Sequence, residues 1–391
     1  MTPTEADRHS AERAAYVHIP FCSAVCPYCD FAVVAGADDL ADRYIDALIT
    51  EIELSPRWSP LHSVYFGGGT PSHVEPAMLE QVFLALNRRH GLVAGAEVSL
   101  EANPEDFDPG RGRDLVEAGF TRVSFGAQSF DGGILGRLGR RHRGVDIVDS
   151  VHRARAAGFD SVSLDLIFGT PGESDESWRT TLGQAIELGP DHVSCYALTV
   201  EPGTPLHRQV RAGAPAPDPD TQADRYEMAD AALSAAGLAR YEVSNWARPG
   251  HECRYNLTVW AQGEYEAYGN GAHRFRDGAR SHNVRRLEAY LSRVEAGVRP
   301  TAGEEPVTGW EREIDRLFVG LRRAAGVAPG PGVDALLETE IGDVLVREQV
   351  IEMRGGRLVV KRPLLTDEVH RQVLDLDPPE GWVEAQRPDN L

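Results

Sequence analysis

The stretch YVHIPFCSAVCPYCDF, Tyr16–Phe31, holds three of the chain's five cysteines, Cys22, Cys26 and Cys29, within eight residues. Three is an awkward number. A structural zinc site takes four ligands and a disulfide framework takes pairs. A cubane [4Fe–4S] cluster normally takes four thiolates, so three leave one iron open to an outside ligand. The short loop after a strand can wrap one face of such a cube, and Pro27 stiffens it. The competing reading is a three-cysteine zinc site completed by His18, which lies on the strand leading into the loop.

The composition narrows the function classes. The chain has 391 residues, enough for one large α/β domain and a smaller one, and 42% of them are hydrophobic. The formal charge of −20 argues against a surface built to neutralise phosphates, so no nucleic-acid partner is expected. The one dense basic cluster is GRLGRRHRG, Gly136–Gly144. No apolar run is long enough for a membrane span. The first residues, MTPTEADRHSAERAA, lack the basic flank and apolar stretch of a secretory signal, so residues 1–14 read as a flexible tail on a cytoplasmic protein. In such a compartment clustered cysteines read as metal ligands more readily than as disulfides. Lys361 is the sole lysine, which excludes a P-loop or Schiff-base lysine in the main domain.

Strand-like and helix-like segments alternate on both sides of the cysteines. AYVHI, SVYFGGGTP, EVSLEANPE, RVSFGAQSF, SVSLDLIFGTPG and HVSCYALTV read as strands, separated mostly by amphipathic helical segments. Six β-α units predict a parallel sheet closed into a full or partial barrel, with its chemistry at the C-terminal ends of the strands. The distinctive residues fall at those ends. RAGAPAPDPD, 211–220, reads as a linker and GEEPVTG, near 303–309, as a second break. The expected organisation is a core over 15–210, a linker and extension over 211–300, and a C-terminal α+β, winged-helix-like unit over 301–391.

The spacing C-x3-C-x2-C after a first strand, with aromatic Tyr28 before the last cysteine, resembles the radical S-adenosylmethionine superfamily. GGGTP (Gly67–Pro71), LEANPE, SFGAQSF, GRLGR and SLDLIFGTPG follow in the matching order. The resemblance implies a partial (β/α)6 TIM-like barrel. It implies a [4Fe–4S] cluster ligated by Cys22, Cys26 and Cys29, and S-adenosylmethionine bound at the open iron, where one-electron reduction would yield a 5′-deoxyadenosyl radical. Such a protein needs a reduced flavodoxin- or ferredoxin-type electron donor.

The likeness continues beyond the barrel. YVHIPFC, GAQSF, YEVSNWARPGHECRYN and GNGAH resemble the oxygen-independent coproporphyrinogen III oxidase group. That group contains the oxidases, which turn two propionates into vinyls, and a HemW-like haem chaperone branch, which would bind haem and pass it to an acceptor protein. Two features resemble the second branch: Phe31 stands where oxidases typically carry a further cysteine, and only a short polar segment precedes Tyr16. Carried over by resemblance, Tyr16, Gly68, Glu101 and His273 would line the first S-adenosylmethionine. Tyr28, Gly69, Thr70, Gln128, Arg140, Asp165 and Ala197 match positions that bind a second one in the oxidase branch. The branch's H-N-x-x-Y-W motif is replaced by YNLTVW, Tyr255–Trp260: Asn256 and Trp260 remain, while Tyr255 and Val259 stand for the histidine and tyrosine. Tyrosinate can be an axial haem ligand, so Tyr255 is a candidate, with His251, His273 and His282 nearby in sequence.

Overall fold

The computed structural model describes residues 5–380 and Trp382. Its core is six strands joined by five helical crossovers: β1 (Arg13–Ile19), α1 (Ala41–Leu54), β2 (Leu61–Gly68), α2 (Pro76–His90), β3 (Leu92–Ala102), α3 (Pro109–Glu117), β4 (Arg122–Gln128), α4 (Gly144–Ala157), β5 (Ser161–Phe168), α5 (Asp175–Glu187) and β6 (His192–Ala197). Each of these strands pairs in parallel with the next. The chain thus forms the six-unit α/β arrangement that the alternation predicts.

Strand periodicity explains what lies on each face. Outward residues such as Val64, Phe66, Leu100, Val123, Phe125, Leu164 and Val193 are buried under the helices. Residues of the opposite parity are Tyr65, Glu101, Ser124, Asp165 and Ser194, and they line an internal cavity. A parallel sheet covered by helices ordinarily reads as continuous apolar runs. Here the inner face is polar, as a strand set built around a ligand rather than a packed core would be.

The segment expected as a linker and extension widens this sheet on both sides. Asp218 caps α6 (Pro219–Ala235) by accepting the Thr221 N–H at 2.8 Å. The chain then forms β7 (Ala239–Glu242) and β8 (Asn245–Ala247), and β8 lies antiparallel to β6. After α7 (Arg254–Trp260) come β9 (Glu264–Tyr268), parallel to β1, then β10 (His273–Arg276), β11 (Ala279–Asn283), helix α8 (Leu287–Glu295) and β12 (Thr301–Pro306). Among the described residues the sheet has twelve strands, in the order β12-β11-β10-β9-β1-β2-β3-β4-β5-β6-β8-β7.

The C-terminal unit has a core of its own, built on Leu317, Val333, Leu336, Ile351, Leu358, Val369 and Val373. It contains α9 (Gly309–Gly320), two short helices, the hairpin β13 (Ile351–Arg354) and β14 (Arg357–Val360), and α10 (Thr366–Leu374). Its last expected residues, Gly381 and 383–391, lie outside the described ones.

Of the segment expected as a tail over 1–14, residues 1–4 lie outside the described residues, and several of the others are tied into the fold. His9 and Glu12 are buried, Glu12 pairs with Arg254 at 3.0 Å, and Asp7 pairs with Arg357 at 2.7 Å. The polar residues that suggested a mobile tail are ion-pair partners for α7 and the C-terminal unit. Among the described residues no helix is long and apolar enough to cross a membrane.

Candidate functional site

The cysteine loop leaves β1 at Pro20 and is tied down twice. Gly69 N–H donates to the Ile19 carbonyl at 2.7 Å and Thr70 N–H to the Phe21 carbonyl at 2.8 Å. Gly69 is required by this approach: a Cβ there would lie 2.7 Å from the Pro20 carbonyl carbon. At Gly68 a Cβ would sit 2.3 Å from the His18 ring, and the backbone has φ +109°, a region that favours glycine. The glycine run therefore clamps the strand that carries the cysteines, as well as opening space for a ligand.

Cys22, Cys26 and Cys29 all line one cavity of about 1560 Å³, at the C-terminal ends of the strands. Two donors reach their sulfurs. Thr70 Oγ1 lies 3.5 Å from Cys22 Sγ, and Arg140 Nη1 lies 3.5 Å from Cys26 Sγ. Arg140 also donates to Asn103 Oδ1 at 2.5 Å and to the Gly126 carbonyl at 3.1 Å, while its buried Nε has no partner. Asn103 in turn donates to Thr70 Oγ1 at 3.2 Å. Asn103 thus couples both sulfur donors, a role that sequence reading missed; its place between Glu101 and Pro104 was the available signal.

Burial pushes the Cys22 thiol up to about 11, against the lowering bond from Thr70, and burial raises Cys29 as well. Cys22 and Cys29 therefore hold their protons, and a metal bound there must displace them. Three soft sulfur donors with hydrogen-bond donors aimed at two of them suit a thiolate-bound iron–sulfur cluster. His18, weighed as a zinc ligand, is otherwise engaged. Its Nε2 pairs with the Ala32 carbonyl at 3.0 Å and its Nδ1 with the Tyr16 hydroxyl at 3.2 Å.

Two carboxylates stand inside the same rim. Glu101 accepts from Tyr65 OH at 2.9 Å and from Gly68 N–H at 3.1 Å. Burial, and then the nearby Asp165, push it up to about 7. Asp165 accepts from Ser124 Oγ at 2.9 Å and is raised by burial. Tyr28, Gly68, Gly69, Thr70, Gln128, Arg140 and Ala197 line the cavity with them. Gln128 has φ +62°, a strained position for a non-glycine residue, at the strand end facing the cavity.

Three predicted residues lie elsewhere. Tyr16 and Tyr255 stack with Tyr65 and do not line the cavity; their ring centroids are 6.0 Å apart. Burial raises the Tyr255 phenol far above its ordinary range, and its ring is enclosed by Tyr16, Tyr65 and Tyr265 rather than presented to the cavity. His273 is exposed on β10, stacked on His282 at 5.2 Å, and also stands off the cavity wall. Cys195 and Cys253 are buried cavity-lining thiols outside the loop.

The comparisons with known proteins agree with this layout. The family model of the radical SAM superfamily matches residues 16–185. The heme chaperone HemW of Mycobacterium tuberculosis is 40% identical over 92% of this chain and 94% of its own length. The heme chaperone HemW of Bacillus subtilis is 33% identical over 85% of this chain and 91% of its own. Among solved structures, the coproporphyrinogen III oxidase HemN of Escherichia coli superposes with a TM-score of 0.81 over 94% of this chain and 92% of that one, at 22% identity. At that identity the likeness concerns the fold alone.

Proposed function

The chain belongs to the HemW family of the radical SAM superfamily, and from that premise we propose that it binds haem and passes it to an acceptor protein. In this reading Cys22, Cys26 and Cys29 hold a [4Fe–4S] cluster, and S-adenosylmethionine occupies the iron they leave free. When bound, that pair supplies one-electron chemistry, with electrons from a flavodoxin- or ferredoxin-type donor. The chain's own groups do the rest. Thr70 and Arg140 hydrogen-bond the coordinating sulfurs. Glu101 and Asp165 offer acceptors to the amine or ribose hydroxyls of the nucleoside. The strand interior keeps these groups away from bulk water.

The observation that carries the haem part is that Asn256, retained from the family's haem-linked motif, lines the same cavity as the three cysteines. The cavity of about 1560 Å³ exceeds what one drug-sized ligand fills, roughly 300–1,000 Å³, which supports a site larger than a nucleoside alone requires. Because Tyr255 packs against Tyr16 and Tyr65 and does not line the cavity, the axial ligand in this reading is not the residue that replaces the motif's histidine.

The test is anaerobic. The reconstituted protein, titrated with haemin, should give a saturable Soret change that is the same in Tyr255→Phe. Incubated with reductant, S-adenosylmethionine and coproporphyrinogen III, it should form no vinyl product. Vinyl product without saturable haemin binding would replace this reading with the oxidase one. Cys22→Ala, Cys26→Ala and Cys29→Ala should each lose iron, whereas Cys195→Ala and Cys253→Ala should retain it.

A further inference from the structure

The C-terminal unit contributes Arg322 and the segment 361–367 to the lining of the cavity that holds the three cysteines. Basic groups of this unit are mostly paired. Arg316 is bonded to Glu313, Arg354 to Glu352, and Lys361 to Glu352 and Gln349. Arg322 and Arg362 differ. Both line the cavity, and among the described residues neither guanidinium makes a hydrogen bond or an ion pair.

Arg322 is held rather than free to swing. Its guanidinium lies 4.7 Å from the centre of the Trp260 ring, and its Nε is buried without a partner. The carboxylate that acts on it electrostatically, Glu242, is itself taken up by Ser244 N–H and Asn245. Thr366 adds a second orphan: it is 2% exposed, it lines the cavity, and its Oγ1 has no partner. Leu364, between Arg362 and Thr366, is 43% exposed and faces the same space. The only acidic group of the segment, Asp367, lies 3.8 Å from His370.

Two guanidinium groups without a protein partner, an orphan hydroxyl and an apolar side chain lining one cavity describe a receptor for an amphipathic, carboxylate-bearing molecule. A guanidinium binds a carboxylate through two parallel N–H donors, and the buried Arg322 Nε and Thr366 Oγ1 are costly to leave unpaired. We propose that Arg322, Arg362 and Thr366 form a carboxylate subsite that takes the ionised side chains of a tetrapyrrole while Leu364 packs on its ring. This rests on the haem reading above. It also gives the two retained residues of YNLTVW a shared location: Asn256 lines the cavity, and Trp260 positions Arg322.

The probes are haemin and haemin dimethyl ester, whose carboxylates are blocked, titrated into the cluster-loaded protein. Arg362→Ala and Arg322→Ala should each weaken haemin binding about tenfold, the size expected for one charge-assisted hydrogen bond. The ester should bind the unaltered protein about as weakly as haemin binds the double variant, and the substitutions should leave ester binding unchanged. Equal binding of haemin and ester by the unaltered protein would overturn the subsite and leave the haem reading standing. Absence of any saturable haemin binding would overturn both. Iron content and thermal midpoint report whether each variant is folded. Arg362 is exposed, so its variant and the ester comparison decide the matter even if Arg322→Ala unfolds.

Discussion

Two buried glutamates, Glu51 and Glu101, are pushed up to about 7 by burial, yet they sit in opposite kinds of surroundings. Glu51, on α1, is wholly enclosed by β9, β11 and α8. It accepts from Gly269 N–H at 2.9 Å, Asn283 Nδ2 at 2.7 Å and Tyr290 OH at 2.7 Å. Nothing in that nest is left over. Glu101 stands on a cavity wall beside a second carboxylate, with Arg140 Nε, Arg322 Nε and Thr366 Oγ1 unpartnered around the same space. A saturated polar cluster fixes the position of strands. An unsaturated one is available to something else.

That contrast is tested most severely by removing the saturated acceptor. Glu51→Ala would strand three buried donors, at about 1–3 kcal/mol each, so a loss on the order of 5 kcal/mol is expected. Chemical denaturation of the cluster-free protein measures it. A loss below about 1 kcal/mol would show that the nest is not structural. Gly69→Ala comes next. Its methyl would strike backbone atoms of Ile19, Pro20 and Phe21 at 2.7–2.8 Å, so the strap holding the cysteine loop must shift. Overpacking of this kind costs about 1–3 kcal/mol, and the expected signature is a fall in iron occupancy along with the stability change. Glu101→Gln is the milder counterpart at the cavity. S-adenosylmethionine affinity should fall about tenfold, read from the spectral shift of the cluster, with iron content unchanged.

The sequence showed most clearly what depends on local pattern. The alternation of apolar strands and amphipathic helices predicted β1–β6 and their crossovers, and the glycine and carboxylate residues at strand ends marked the rim. It hid what depends on long-range pairing. Short segments such as Glu264–Tyr268 and His273–Arg276 carry no decisive periodicity, so their addition beside β1 was not foreseen. Asn103 could be seen only as a loop residue, because its partners Thr70 and Arg140 lie 33 and 37 positions away. The packing of Tyr255 against Tyr16 and Tyr65 could not be read from the motif, because motif position does not say which way a side chain faces. Arg322 and Arg362 had no motif at all; they stand out only by what they fail to touch.

The finest test of the comparison is a pH series. An unperturbed glutamate titrates near 4.5, and both of these titrate at about 7 in the folded chain. Between those values each folded carboxyl holds a proton that the unfolded chain releases. Stability therefore falls as pH rises through that window and levels off above it. The two substitutions to glutamine should remove the slope differently. At position 101 the new amide can accept Gly68 N–H through its oxygen and donate to the Tyr65 hydroxyl, which rotates to accept. Glu101→Gln should match the unaltered protein near pH 5 and exceed it at pH 8, by at most about 3 kcal/mol for a 2.5-unit shift. At position 51 one carboxylate oxygen faces the Asn283 amide, which also donates to the Gly269 carbonyl at 2.9 Å. A glutamine amide there would set donor against donor. Glu51→Gln should flatten the pH slope yet be less stable than Glu101→Gln at every pH. Denaturation midpoints at pH 5, 6, 7 and 8 separate the two, and coincident curves for the two variants would mean that the surroundings of Glu51 and Glu101 are energetically alike.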